Sequence, residues 1–169
     1  MELFYTHGYH STTIESILHY ASIHKGSFYH FFNSKKAIFL AIINELIAKN
    51  IQTKYASIYD SKRPLMTLFD ILTHSNHQDF IYSYLVFETK TLDRDIVNDL
   101  QKITAAIEEY YLFAFQSEYM DNSEPSRLAT MLLATVKGAT SQYQHTQLYF
   151  EIIETIKSLL LNHVQENRR

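Results

Sequence analysis

Apolar residues recur along this chain at steps of three and four, the spacing of one face of an α-helix. Ile96, Leu100, Ile103, Ile107, Tyr110 and Ala114 form one such stripe over five turns. Leu148, Ile152, Ile156, Leu159 and Val164 form a second, thickened by Ile153 and Leu160, and Ile38, Ala41, Ile42 and Leu46 form a third. The breaks are also legible. Gly8 suits a left-handed helix end. Ser11 or Thr12 can cap the next helix, with Glu15 placed for a capping box, and Ser34 can cap the helix that opens at Lys35. Pro64 fits a first helical turn. Asp121 to Pro125 form a polar break, and His145 to Gln147 a short link. These signals predict helices near 2–7, 12–20, 24–31, 35–56, 64–75, 78–91, 93–119, 125–144 and 148–166.

Composition supports an all-α chain of about nine helices. Three glycines and two prolines in 169 residues are too few for the turns of a sheet protein. A hydrophobic content of 46% allows a substantial core. The absence of cysteine excludes disulfides and thiolate chemistry and agrees with a reducing cytosol. The first residues lack a basic start and apolar run, and no apolar stretch is long enough to span a bilayer. A cytoplasmic chain with no membrane partner is therefore expected. Net charge is −3 for the whole chain. Residues 1–50 hold four lysines against three glutamates, and five of the nine histidines fall within the first 30 residues. The N-terminal end is thus the side suited to approach phosphates.

Residues 12–32 carry the sharpest pattern. Ile14, Ile17, Leu18 and Ala21 follow the helical rule, a short link crosses Ser22 and Ile23, and a second short helix runs from His24 to Phe31. Two short helices around such a link are the helix-turn-helix plan, whose second helix lies in the DNA major groove. Phe28 and Phe32 should face the core of that unit. Lys25, Ser27, Tyr29 and His30 carry donors, and Gly26 leaves room for a close approach.

The run Leu3-Phe4-Tyr5-Thr6-His7-Gly8-Tyr9-His10-Ser11-Thr12-Thr13-Ile14 resembles the end of the first helix and start of the second in repressors of the TetR/AcrR family. The run Lys25-Gly26-Ser27-Phe28-Tyr29-His30-Phe31-Phe32-Asn33-Ser34-Lys35-Lys36-Ala37-Ile38-Phe39 resembles that family's recognition helix and the start of its fourth helix. The resemblance implies a DNA-binding domain over 1–48 and a helical effector-binding and dimerisation domain over 49–169. It implies phosphate contacts from Thr12 or Thr13, base contacts from His24, Lys25 and Ser27 beside Gly26, and phosphate contacts from Tyr29, His30 and Lys35, with Lys36 as a further candidate. Two departures stand out. Ser22 occupies a turn where the family often has glycine, and His24 stands where serine or threonine is common. Family members also usually carry a further turn or two before the position of Glu2, so either the natural start lies upstream or DNA is bound poorly.

The same resemblance implies that the central helices enclose a pocket for a small amphipathic effector, with His74, Tyr84, Phe87, Tyr110 and Tyr111 as candidate lining. It implies a homodimer through the last two helices, with Leu132, Val136, Ala139, Ile152, Ile156 and Leu159 at the interface. The function it implies is a transcriptional regulator, a repressor released from its DNA operator by the effector. The competing reading is a helical dimer that binds a ligand or protein and has lost DNA binding. No cofactor and no metal are expected: His74 and His77 share a helical face without a third ligand, His7 and His10 are no better placed, and Asp93, Asp95 and Asp99 suit a helix N-terminus. Glu88 is expected at the surface. No phosphate loop, nucleophile elbow or cysteine nucleophile is present, so an enzyme is not expected.

Overall fold

The computed structural model describes residues 1–169 apart from 77, 80, 83–84, 86–92, 120–123, 144–145 and 168–169. The described helices are α1 Glu2–Ser11, α2 Ile14–Ala21, α3 Lys25–Phe31, α4 Lys35–Ala41, α5 Ala48–Ala56, α6 Pro64–Thr73, α7 Arg94–Gln116, α8 Glu124–Tyr143 and α9 Gln147–Asn167. A π-helical stretch, Ile42–Ile47, joins α4 to α5. Much of the helix expected over 78–91 falls on undescribed residues, as does Glu88; Gln78, Asp79, Ile81, Tyr82 and Leu85 are helical.

Capping explains the N-terminal elements. The chain bends at Gly8, whose φ of 75° favours glycine, and helical bonding then continues to Ser11, beyond the expected end near residue 7. The cap of α2 is Thr13, not Ser11 or Thr12. Its hydroxyl accepts from the Ser16 amide at 3.0 Å, and the Ser16 hydroxyl accepts from the Thr13 amide at 3.0 Å. This closes a capping box with Ser16 in the place expected for Glu15. Ser34 caps α4 as expected, accepting from the Ala37 amide.

The π-helical stretch resolves a conflict in spacing. The most deeply buried seam of this long rod is Phe39, Ile43, Ile47 and Ile51, four residues apart throughout. Of the expected line, Ile42 is also buried and Ile38 packs half-buried against the core, and the Leu46 side chain is not described. In a pure α-helix of 3.6 residues per turn, each four-residue step drifts by about 40° around the axis. A turn closed by i→i+5 bonds holds more residues and takes that drift back. The seam therefore stays aimed at one side from the N-terminal unit into the body of the protein.

In that body α7 packs along α8 and against α6, α5 and α4, while α9 lies on α8 and α6. The α7 stripe is buried at Ile96, Leu100, Ile103, Ile107 and Ala114, as expected, but its fifth position is Tyr111 rather than Tyr110. On α9 the inward line is Tyr149 with Ile153 and Leu160, the two residues expected to thicken the stripe, while of the stripe itself Leu148 is exposed and Leu159 is 65% exposed. One hydrophobic core runs without interruption from Phe4 through Phe28, Phe39 and Ile43 to Leu160. The first three helices are thus anchored on the rest through the rod. Polar contacts reinforce the joint: Lys36 pairs with Asp93 at 2.9 Å and with Asp95, and the Asn44 amide donates to Asp99 at 3.0 Å. Among the described residues no helix is long and apolar enough to cross a membrane.

Candidate nucleic-acid interface

The α2–α3 unit is held from within by Phe28. This ring is buried, lies edge-on to Tyr29 at 5.4 Å and meets Phe32 at 5.9 Å. Phe4 and Tyr9 of α1 pack on Phe39 at 4.7 and 4.9 Å and close the floor. The turn between the helices passes through Ser22 at φ 53°, ψ 40°, the left-handed region. The Ile23 amide donates back to the Leu18 carbonyl at 3.1 Å, which completes the helix end. The turn therefore forms with serine, at the strain of a left-handed non-glycine residue. Ser22→Gly is expected to raise stability by about 0.5–1 kcal/mol, seen as a higher urea midpoint with an unchanged m-value.

The solvent face of α3 carries a row of exposed polar and basic side chains. His24, Lys25, Gly26, Ser27, Tyr29 and His30 are all exposed. A methyl group on Gly26 would meet no atom of the chain within 4 Å, so the chain's own packing gives no reason for glycine there. Tyr29 is 46% exposed, and Phe31 is 75% exposed with its ring against His30 at 4.9 Å. Tyr20 and Ile23 are also exposed. Sequence spacing gave Phe31, Tyr20 and Ile23 no role, and only their exposure on this face brings them forward.

Three expected phosphate contacts are placed differently. Thr12 is buried, and its hydroxyl donates to the Leu3 carbonyl at 3.1 Å and the Gly8 carbonyl at 2.8 Å. It stitches the bent α1 together and has no surface to offer a phosphate; Thr13, its exposed neighbour, does. The Lys35 ammonium donates to the carbonyls of Tyr9 at 2.7 Å and His10 at 3.2 Å and lies 4.5 Å from the centre of the Tyr9 ring. It clamps the carbonyl end of α1. Lys36 is held by Asp93 and Asp95, whose hydrogen bonds push its pKa up, and Lys36 in turn holds the Asp93 carboxyl below the usual range. Thr12→Val should lower stability by about 1–2 kcal/mol, because two carbonyls lose a buried donor. Urea unfolding would record that loss, while the salt dependence of DNA binding would stay as in the wild type.

A second site lies between α5, α6, α7, α8 and α9, where a narrow cleft is lined by Asn50, Lys54, Tyr55, Ser75, Asp79, Tyr82, Tyr111 and Tyr149 with four aliphatic residues. Lys54 and Asp79 form an ion pair at 2.7 Å, their side chains 25% and 14% exposed. Asp79 also accepts from the Asn76 amide at 2.8 Å, and Lys54 reaches the Ser75 hydroxyl at 3.4 Å. Burial pushes Tyr55 up to about 12 and raises Tyr111 and Tyr149 well above the usual phenol range, so all three remain protonated donors. Of the expected lining, Tyr111 belongs to this cleft. Tyr110 points aside between the rings of Tyr55 and Tyr59, at 5.6 and 5.1 Å. His74 is exposed, with its ring Nδ1 2.9 Å from the Asp70 carbonyl. Tyr84 and Phe87 lie outside the described residues, as does His77. Lys54 and Asp79 were missed because they are 25 positions apart in ordinary polar surroundings. Among the described residues no three His, Asp or Glu side chains gather to hold a metal ion.

The expected dimer residues divide. Leu132, Val136 and Ala139 are buried within the protomer, so they pack its own core and are not available to a partner. Ile152 and Ile156 are half-buried, and Leu159 stands exposed on α9, with Leu148 on the same helix and Met131 on α8 also exposed.

Residues 1–42 match the family described as bacterial regulatory proteins, tetR family. The chain is 29% identical over 133 residues to an uncharacterized HTH-type transcriptional regulator, YuxN, of Bacillus subtilis (strain 168), covering 74% of this chain and 45% of that protein. It is 32% identical over 119 residues to an uncharacterized HTH-type transcriptional regulator in the lacX 3′ region of Lactococcus lactis subsp. lactis, covering 64% of this chain and 60% of that one. The chain thus spans about half the length of the curated relatives it matches. Its fold is similar to the crystal structure of a transcriptional regulator of the TetR/AcrR family from Thermobifida fusca YX-ER1, with a TM-score of 0.66 at 21% identity, over 95% of this chain and 91% of that one.

Proposed function

We propose that this chain, whose residues 1–42 match the tetR family of bacterial regulatory proteins, acts in the cytoplasm as a homodimeric repressor and not an enzyme, and leaves its operator when a small molecule enters the cleft. The observation that carries the DNA-reading part is the face of α3. Lys25, Ser27, Tyr29 and His30 stand exposed around a glycine that the chain's own packing does not require. On this reading His24, Lys25 and Ser27 approach base edges beside Gly26, while Thr13, Tyr29 and His30 hold phosphates. Residues 1–48 form the reading head and 49–169 the effector and dimer body. The outer faces of α8 and α9, with Met131, Leu148, Ile152, Ile156 and Leu159, support the dimer. An effector that binds better to a state with the heads misplaced lowers DNA affinity in proportion to that preference.

A two-fold dimer reads two half-sites with centres about 34–36 Å apart. Selection from a pool of random duplexes should therefore enrich an inverted repeat of that spacing. An enriched single, unrepeated site would count against the dimer, and a pool without enrichment would count against DNA reading.

A further inference from the structure

The three phenylalanines of the α3 segment divide in their use. Phe28 is buried and Phe32 packs against the core, but Phe31 is 75% exposed, the most exposed large apolar side chain among the described residues. Four of the eight exposed large apolar residues among them, Tyr20, Ile23, Tyr29 and Phe31, fall within residues 20–31. Scattered apolar side chains are normal on a surface, whereas such a concentration on one small unit marks a contact surface. The Phe31 ring meets His30 edge-on at 4.9 Å, and His30 is itself exposed, so this contact does not take the ring out of water.

Helical spacing says which way the ring goes. Ser27 and Phe31 are four residues apart, so they share one face of α3, about 40° apart around its axis. Ser27 is the residue of that face set against base edges in the function proposed above. Resting on that function, we propose that Phe31 is a specificity-determining residue that reads the C5-methyl group of a thymine in the major groove. The chemistry of the side chain narrows its target. A phenyl ring has no donor or acceptor, so it forms no hydrogen bond to a phosphate or to a base edge. Adenine, guanine and cytosine present donors and acceptors in the major groove, and thymine alone adds an apolar group, its methyl. Ring against methyl removes apolar surface from water on both partners. The contact neutralises no phosphate, so it adds affinity without adding to the salt slope.

The test is a scan in which single thymines are replaced by deoxyuridine, which deletes the methyl and keeps the base pair. The full chain is titrated by anisotropy with the duplex enriched from the random pool and with each replaced version. One buried carbon is worth about fourfold in affinity. At one thymine of the half-site, the wild type is therefore expected to bind the deoxyuridine duplex about fourfold more weakly. Phe31→Ala should keep the wild-type urea midpoint, because the ring is exposed, and should bind the thymine and deoxyuridine duplexes alike at that position. Phe31→Leu should retain part of the difference. Full methyl dependence in Phe31→Ala would overturn the proposal, as would a half-site in which the wild type depends on no thymine methyl, a result that needs no variant. Selective DNA binding without methyl dependence removes the role of Phe31 alone. A chain that enriches no duplex removes the DNA-reading function, and the role of Phe31 with it.

Discussion

Replacing Phe28 by alanine is expected to cost about 3–5 kcal/mol and to abolish DNA binding at the same time. The ring is buried, 1% exposed, in the core cluster that holds the first helices to the rest of the chain, and it meets Phe32 at 5.9 Å. Truncation would leave a cavity in the core of the N-terminal unit. Against a total stability of about 5–15 kcal/mol for an ordinary domain, that loss is large. Because the core is continuous into Phe39 and Ile43, the damage should appear in the main urea transition and not only as local loosening of the head. A unit that keeps wild-type stability after Phe28→Ala would mean that α3 is not packed through this ring.

The second large effect concerns the opposite face of the same helix. Lys25→Ala and Tyr29→Ala remove exposed side chains, so stability should stay within about 0.5 kcal/mol of the wild type. DNA affinity should nevertheless fall about tenfold or more for each, since one base or phosphate contact is worth about 1–3 kcal/mol. The two variants should differ in kind. Lys25 carries a charge, so its removal should flatten the dependence of affinity on salt; the neutral phenol of Tyr29 should lower affinity at every salt concentration alike. Lys35→Met offers a contrast. Its ammonium already holds the end of α1 through the Tyr9 and His10 carbonyls, so its loss should register in stability first.

The helices and the recognition unit were legible in the sequence because their signals are local: apolar spacing, a hydroxyl before a helix, a short link between two short helices. What stayed hidden depends on choices between near-equivalent neighbours or on distant partners. Ser11, Thr12 and Thr13 are all competent caps, and only the bend at Gly8 turns Thr12 inward and leaves Thr13 to cap α2. The α9 sequence offers two adjacent apolar stripes, so periodicity finds a face but not which stripe meets α8; Tyr149 and Ile153 turn in while Leu148 and Leu159 turn out. The seam through Phe39, Ile43 and Ile47 needs a π-helical stretch that a uniform helical period does not anticipate. Lysines are harder still, because a long flexible cation goes to whichever acceptors the fold brings near. Lys35 finds two carbonyls of α1, Lys36 finds Asp93 and Asp95, and Lys54 finds Asp79. Lys25 is the lysine of α3 left facing solvent on the reading face.

The most direct measurement is fluorescence anisotropy of the purified chain with duplex DNA from immediately upstream of its own gene, beside a scrambled duplex, across a series of salt concentrations. Tight binding to the upstream duplex, much weaker binding to the scrambled one, a steep salt slope, and loss of selectivity in Lys25→Ala and Tyr29→Ala are the predicted results. Equal affinity for both duplexes at every salt concentration, unaltered by either substitution, would contradict the assignment of α3 as a DNA-reading helix.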